Sequence, residues 1–570
     1  MHKTLFACLV LGFITLSADI ARAVNLIVAG TIITVDKTQP TAEAVAVAGD
    51  RIVSVGSREN VFKLATESTR IVELGEHALL PGFIDAHGHM TMVGTWGELI
   101  NLSSPPVGTV ETMADLVKLI RARIADHEIP PGEWVFGYGY DDSLIHENRH
   151  PNRDDLDRAS TEHPIALIHV SGHLMATNTM GLTLEKITAE SENPPGGVIR
   201  RRPGTTTPNG VLEETASYPL RKPMTKFMTP ELTKKAMQRS ARLHASYGIT
   251  TIQDGGTDPR TVNLFRETAS ESPFPVDVVA FVSGARASDK ELETVSAETY
   301  ENGFRVGGVK LMLDGSPQGR TAYLSAPYTE GPPGAEAGYR AYPVMPQGEY
   351  NRRISLLINN GTPVLTHANG DGAIDMMIAG VAQALEGRIV PDHRTVIIHA
   401  QLMREDQLHQ VKKLGMVPSY YAAHPFFWGD WHRKSFGEER ASFISPVART
   451  DELGVPYTIH NDSPVVPPDM MRLLWIATNR ETRSGYVLGP KQRATTMQAI
   501  HAVTLGAAYQ YFEEEEKGSI TVGKRADLVI LGANPLAVDK SDLKDIPIIE
   551  TIARGKTVYR RASVEAMVSD

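Results

Sequence analysis

The sequence predicts an α/β chain: a (β/α)8, TIM-like barrel with an inserted lobe, joined to a small β-sandwich built from both chain ends. Three observations predict it. The middle of the chain alternates short apolar strands with helical stretches, the pattern of βα units on a parallel sheet. Eight such strands can be read, the number a closed barrel needs. Both ends read as β, so they can meet in one small domain with the barrel inserted between them. With 570 residues and 42% hydrophobic content, the chain is long enough for one domain of about 250 residues or more with appended pieces.

Residues 1–23 read as a signal peptide. Lys3 gives a basic start, an apolar run follows over 5–16, and Ala21-Arg22-Ala23 is an A-x-A cleavage pattern. The run is too short to span a bilayer comfortably. Cleavage after Ala23 and a bacterial periplasmic or secreted location are therefore expected. The one cysteine, Cys8, lies in this leader. A mature chain would have no disulfide, no cysteine nucleophile and no thiolate ligand. Net charge is −10, and losing Lys3, Arg22 and Asp19 takes it to −11. No basic stripe appears, which argues against nucleic acid and anionic membrane as partners and leaves a small-molecule substrate.

Residues 24–80 and 518–565 form the expected composite β domain. Strand-like runs cover 26–35, and 44–48 and 51–55 flank Gly49-Asp50, a hairpin turn with glycine first. Further runs at 526–531, 549–553 and 556–559 lie at the other end. The barrel is expected over 81–517. Its opening strand, Phe83 to Ala86, follows the turn signal Pro81-Gly82. Later strands are predicted at 250–254, 276–283, 308–313, 363–367, 395–399, 416–420 and 456–460. Residues 90–245 are far too long for one crossover. They are expected to hold one barrel helix and a lobe at about 97–245, with Pro194-Pro195-Gly196-Gly197 and residues 201–210 as loops.

The chemistry of such a barrel sits at the C-terminal strand ends. His87 and His89 follow the first strand at i and i+2, so both imidazoles can face one point. Taken alone, such a pair is more often part of a polar sheet face than a metal grip. Lys310 stands in the apolar run Val309-Lys310-Leu311-Met312-Leu313, where a charge is costly unless paired or modified. His367, His399 and Asp462 follow the fifth, sixth and eighth strands. Each has a bland reading as a hydrogen-bonded structural residue, but all of them falling at predicted barrel-strand ends points to one polar site.

This set, in this order, resembles the amidohydrolase superfamily. The motifs are Pro81-Gly82-Phe83-Ile84-Asp85-Ala86-His87-Gly88-His89, Val309-Lys310-Leu311-Met312-Leu313-Asp314-Gly315-Ser316, Thr366-His367-Ala368-Asn369-Gly370-Asp371 and Ile398-His399-Ala400-Gln401. Asn461-Asp462-Ser463-Pro464-Val465 stands where the family has Ser-Asp-x-Pro-Val, with Asn461 as a departure. Gly518 to Val529 resembles the family's re-entry into the small β domain. The most similar branch is that of N-substituted formamide deformylase. The resemblance implies that His87, His89 and Asp462 hold one ion, that His367 and His399 hold a second, and that carboxylated Lys310 bridges them. It implies two Zn2+ per chain, although some relatives work with one ion. It also implies a metal-activated water that cleaves a carbon–nitrogen bond, with Asp462 as general acid and base.

Around the pocket, Tyr140, His173, His424 and Trp428 are candidate substrate contacts. Tyr140 and His173 lie in lobe loops like those this branch uses as a roof, and His424 and Trp428 lie in an aromatic cluster after the seventh strand. Asp314 and Arg320 are candidate partners of the lysine strand, and His501 reads as structural. Three alternatives stay open: hydrolysis of another ester-like bond (lactone, carbamate or phosphoester), a non-catalytic periplasmic binding protein on the same scaffold, and either a monomer or the homodimer common among relatives.

Overall fold

The computed structural model describes residues 23–562, apart from Arg286 and residues 387–391. The leader up to Arg22 lies outside the described residues. Eight parallel strands pair in sequence order: Phe83–Ile84, Ile249–Thr257, Asp277–Ser283, Phe304–Met312, Val364–Ala368, Val396–His399, Val417–Tyr420 and Thr458–Ile459. Most of their residues are buried, and the third, fifth and sixth strands read as largely apolar runs rather than alternating ones. The third strand, DVVAFVS, is buried at every position. Among the described residues no strand ladder joins the first strand to the eighth. Two backbone hydrogen bonds tie the segments just past them instead. The Asp462 amide donates to the His87 carbonyl at 3.3 Å, and the His89 amide donates to the Ser463 carbonyl at 2.7 Å. The curled sheet is thus drawn together at its C-terminal end.

Helices pack outside this sheet through one apolar stripe each. The helix Pro230–Ser246 starts at Thr229, whose side chain accepts from the Leu232 amide, with proline in its first turn. It buries Ala236, Met237, Ser240, Ala241, His244 and Ala245 at helical spacing.

Before this helix the first crossover holds a separate six-stranded sheet. Its order is Gly197–Arg201, Pro208–Glu214, Leu174–Thr177, Ile165–His169, Val135–Tyr140 and Ile100–Asn101. The helix Met113–Asp126 shares one apolar cluster with this sheet through Leu116, Ile120, Val135, Ile165 and Leu167.

The chain ends meet in one seven-stranded sheet. Its order is Lys556–Arg560, Ile548–Ala553, Leu528–Leu531, Arg70–Pro81, Leu26–Ile33, Thr41–Ala48 and Arg51–Gly56. The sequence predicts a sandwich here, whereas the described strands form a single continuous sheet. Residues 528–531 pair antiparallel with residues 78–81 while residues 26–32 pair parallel on the other edge, so the 12-residue strand Arg70–Pro81 joins both chain ends. That strand runs directly into Gly82 and the first barrel strand. No helix among the described residues is long and apolar enough to cross a membrane.

Candidate active site

At the C-terminal end of the barrel the structure brings together His87, His89, Lys310, His367, His399 and Asp462. His87 and His89 each place Nε2 3.5 Å from Asp462 Oδ1. Lys310 Nζ lies 2.9 Å from His87 Nε2. His367 Nδ1 and His399 Nε2 face each other at 3.0 Å. His399 and Asp462 take φ values of 73° and 56°, the left-handed region. Such strain is costly and persists where the surroundings hold it. Gly255 on the second strand leaves room for the His87 ring: a Cβ there would lie 2.5 Å from His87 Cε1.

Hydrogen-bond partners decide which ring nitrogens carry protons. Gln253 donates its amide hydrogens to the Ala86 carbonyl at 2.9 Å and the Tyr511 hydroxyl at 2.8 Å. Its oxygen therefore faces His87 Nδ1, which must donate. That leaves the His87 Nε2 lone pair aimed at Lys310 and Asp462. On the fifth strand, His367 Nε2 lies 3.0 Å from the Gly315 carbonyl, an acceptor only. His367 Nδ1 is then the bare nitrogen turned toward His399.

Electrostatics keep His87, His367 and His399 neutral and the acid charged. Burial, with neighbouring cationic groups, pushes His87 and His367 well below the ordinary histidine value. Burial does the same to His399, although Asp462 pulls it the other way. For Asp462, burial alone would raise the carboxyl, but His399, His89 and His87 hold it well below the usual carboxylate range. Lys310 is pushed down to about 8, chiefly by burial. Neutral imidazoles and an ionised carboxylate form a donor set that fits a divalent cation.

A cavity of about 220 Å³ opens on this cluster. Besides His89, Lys310, His367, His399 and Asp462, its wall includes His173, Glu214 and Arg221 from the lobe and the helix after it. His173 Nδ1 donates to Glu214 Oε2 at 2.8 Å, and Thr321 Oγ1 donates to the other Glu214 oxygen at 2.9 Å. Arg221 Nη2 donates to the Gly172 carbonyl at 2.6 Å. A larger cavity, about 490 Å³, lies at the opposite end of the barrel. Its cations are already paired, Lys517 with Asp277 at 2.6 Å and Arg305 with Glu513 at 2.9 Å, which leaves it without comparable chemistry.

The other candidates lie elsewhere. Tyr140 is buried inside the lobe against the rings of His150 and His169. His424 and Trp428 lie on the helix His424–Phe436 and do not line the 220 Å³ cavity. His424 Nδ1 bonds His432 Nε2 at 2.7 Å, and the Trp428 indole donates to Asp141 at 2.7 Å. The structure therefore does not bring Tyr140, His424 and Trp428 to the wall of this cavity, and the aromatic run after the seventh strand makes a helix with His424, Phe427 and Trp428 buried. Asp314 accepts from the Tyr323, Asn369 and Gly370 amides and lies 3.5 Å from His367 Nε2. Arg320 turns away to Glu330 and stacks over Trp431. His501 is likewise outside the cavity wall. Sequence reading missed Gln253, Glu214, Arg221 and His460. Gln253, in Ile249–Thr257, and Glu214, at the end of Pro208–Glu214, stand among other polar residues and so carry no signal like that of Lys310.

A second group, Asp142, His150 and His169, also has its donor atoms within 4.8 Å of one another. Here both ring nitrogens of His169 are already bonded. The Ser171 amide donates to His169 Nδ1 at 3.2 Å, so the His169 proton sits on Nε2 and is donated to Asp142 at 2.9 Å.

Comparison with known proteins follows this geometry. A protein with 26% identity over 554 residues, covering 94% of this chain and 98% of its own length, is the N-substituted formamide deformylase of Arthrobacter pascens. The putative amidohydrolase YtcJ of Bacillus subtilis is 23% identical over 94% of this chain and 99% of its own. An uncharacterised metal-dependent hydrolase of Pyrococcus horikoshii shares the fold, with a TM-score of 0.70 at 22% identity over 90% of this chain and 99% of that one. The family model described as "Amidohydrolase family" matches residues 70–559, and the chain belongs to that family.

Proposed function

We propose that this chain is a metal-dependent hydrolase that cleaves a carbon–nitrogen bond in a small amide- or formamide-type substrate. One observation carries the reading: the bare nitrogen of His367 and an ionised carboxylate line one cavity, with the bare nitrogen of His87 3.5 Å from that carboxylate. His87, His89 and Asp462 would hold one divalent ion, and His367 and His399 a second. Zinc suits a nitrogen and oxygen set without thiolate. Lys310 would bridge the two as a carbamate, and an amine held near pH 8 keeps the neutral fraction that captures carbon dioxide. Such ions supply Lewis acidity, polarising a carbonyl and making water a usable nucleophile near neutral pH.

The chain's own residues do the rest. Asp462, ionised and in the cavity wall, would take the proton that water loses. Passing that proton to the departing nitrogen completes the cleavage. His173 is held by Glu214 with its Nδ1 proton committed, so Nε2 is the atom left to meet substrate at the cavity wall. The 26% identity to a formamide deformylase supports the choice of bond. Export through the leader is part of the proposal and predicts a secreted or periplasmic mature chain that starts at Val24.

The test is metal analysis of purified mature protein together with turnover of N-formyl, N-acyl amino-acid, carbamate and lactone panels. Stoichiometric metal with amide or formamide turnover is expected. Lactone turnover with no amide turnover would replace the bond assignment. Unchanged metal content and activity in Lys310→Ala would sink the bridged site.

A further inference from the structure

His460 lies two residues before Asp462, at the end of the eighth strand, and is fully buried. It does not line the cavity, yet it touches both halves of the site. Its Nε2 is 3.1 Å from His399 Nδ1, and its Nδ1 is 2.9 Å from Ser419 Oγ on the seventh strand. Its ring stands edge-on to His87, with centroids 5.3 Å apart, and is stacked on Tyr421 at 5.4 Å and 22°. Three adjacent strands thus contribute one hydrogen-bonded line: Ser419, His460, His399.

An ion held by His399 Nε2 would need one direction of this line. A hydroxyl can accept, so His460 Nδ1–H can donate to Ser419 Oγ and leave Nε2 as an acceptor. His399 Nδ1 then carries a proton and donates it to His460 Nε2. With that proton placed, His399 Nε2 is bare and faces His367 Nδ1 at 3.0 Å. The reverse direction would put a proton on His399 Nε2, between two nitrogens that both must be free to hold an ion. Gln253 does the same for His87 and Gly315 for His367, but there the acceptor is a fixed carbonyl oxygen. At His399 the acceptor is another imidazole, whose own tautomer depends on Ser419.

We infer that His460, anchored by Ser419, is a positioning residue that fixes the His399 tautomer and so sets the affinity of the His367–His399 half of the site for a divalent ion. This rests on the metal-hydrolase reading. Partners of this kind typically account for about 10- to 100-fold in metal affinity.

The experiment measures zinc or cobalt bound per chain during dialysis against graded chelator, with the visible spectrum of the cobalt protein as a second readout. The chains are wild type, His460→Ala, His460→Gln and Ser419→Ala. His460→Ala is expected to release one ion at chelator concentrations at least 10-fold lower than wild type, with an altered cobalt spectrum. Glutamine can accept with its oxygen and donate with its nitrogen, so His460→Gln should restore most of the retention. Ser419→Ala should fall between them, and it tests the line even if His460→Ala fails to fold. Equal retention by wild type, His460→Ala and Ser419→Ala would overturn the inference. So would a glutamine variant as poor as the alanine one, which would show only a packing role. A wild-type chain that takes up no ion would overturn the hydrolase reading itself, and this inference with it.

Discussion

Among the described residues, two buried histidine–aspartate clusters look alike by composition and differ in what their hydrogen bonds complete. In the lobe, Asp142 is 2.9 Å from His169 and 3.5 Å from His150, and the Ser171 amide turns the His169 proton onto the acid. His169 keeps no free ring nitrogen. In the barrel, Gln253 and the Gly315 carbonyl draw the protons of His87 and His367 outward and leave lone pairs pointing inward. Proximity of donors is therefore a poor guide to a metal site. The direction of the outer hydrogen bonds separates a structural cluster from a reactive one.

The comparison can be broken or sharpened by experiment. The largest expected effect is on turnover. Asp462→Asn should lower kcat by about a thousandfold, within the usual range for a lost general acid–base group, whereas Asp142→Asn should leave kcat within a few-fold. Equal losses in steady-state kinetics would erase the distinction.

Next is pH. Burial pushes His150 down to about 3 and His244, on the outer helix, down to about 4. Both folded values lie below the unfolded value near 6.5, so their contribution is complete above about pH 6.5 and is lost progressively as pH falls toward 3. The metal-free protein should lose stability in acid, by roughly 3 kcal/mol for a residue like His244. His244→Gln should flatten the dependence of Tm on pH below 6. An unchanged slope would refute this assignment.

Smaller still, Asp142→Asn should destabilise the chain by about 2 kcal/mol, because two buried imidazoles lose an ionised partner. Metal content should not change, and urea unfolding with metal analysis checks both. Ser171→Ala, which removes the hydroxyl 2.8 Å from His169 Nδ1, should cost about 1 kcal/mol in the same assay.

Much of this site was legible in the chain. His87 and His89, Lys310, His367, His399 and Asp462 each stand at or just beyond a short apolar run, and strand ends in such a sheet collect at one face. The residues that orient them were harder to see. Gln253 is 166 positions from His87, and Glu214 is 41 from His173. A hydrogen bond across such separations leaves no local period to read. The aromatic run at 424–431 is ambiguous for a related reason. Apolar side chains beside histidines suit a pocket lining and a buried helix equally, and only the packing of the lobe against Trp428 and its bond to Asp141 chose the helix.

Hydropathy and period, which are local properties, marked the eight barrel strands, the β character of both ends and the positions of the polar groups, but not the strand Arg70–Pro81 or the six lobe strands. Tertiary structure decided that the ends share one sheet rather than a sandwich, since the pairing of residues 528–531 with 78–81 bridges hundreds of positions. It also decided which of two histidine clusters keeps open lone pairs. That outcome depends on which acceptor, carbonyl or carboxylate, a distant segment brings to each ring.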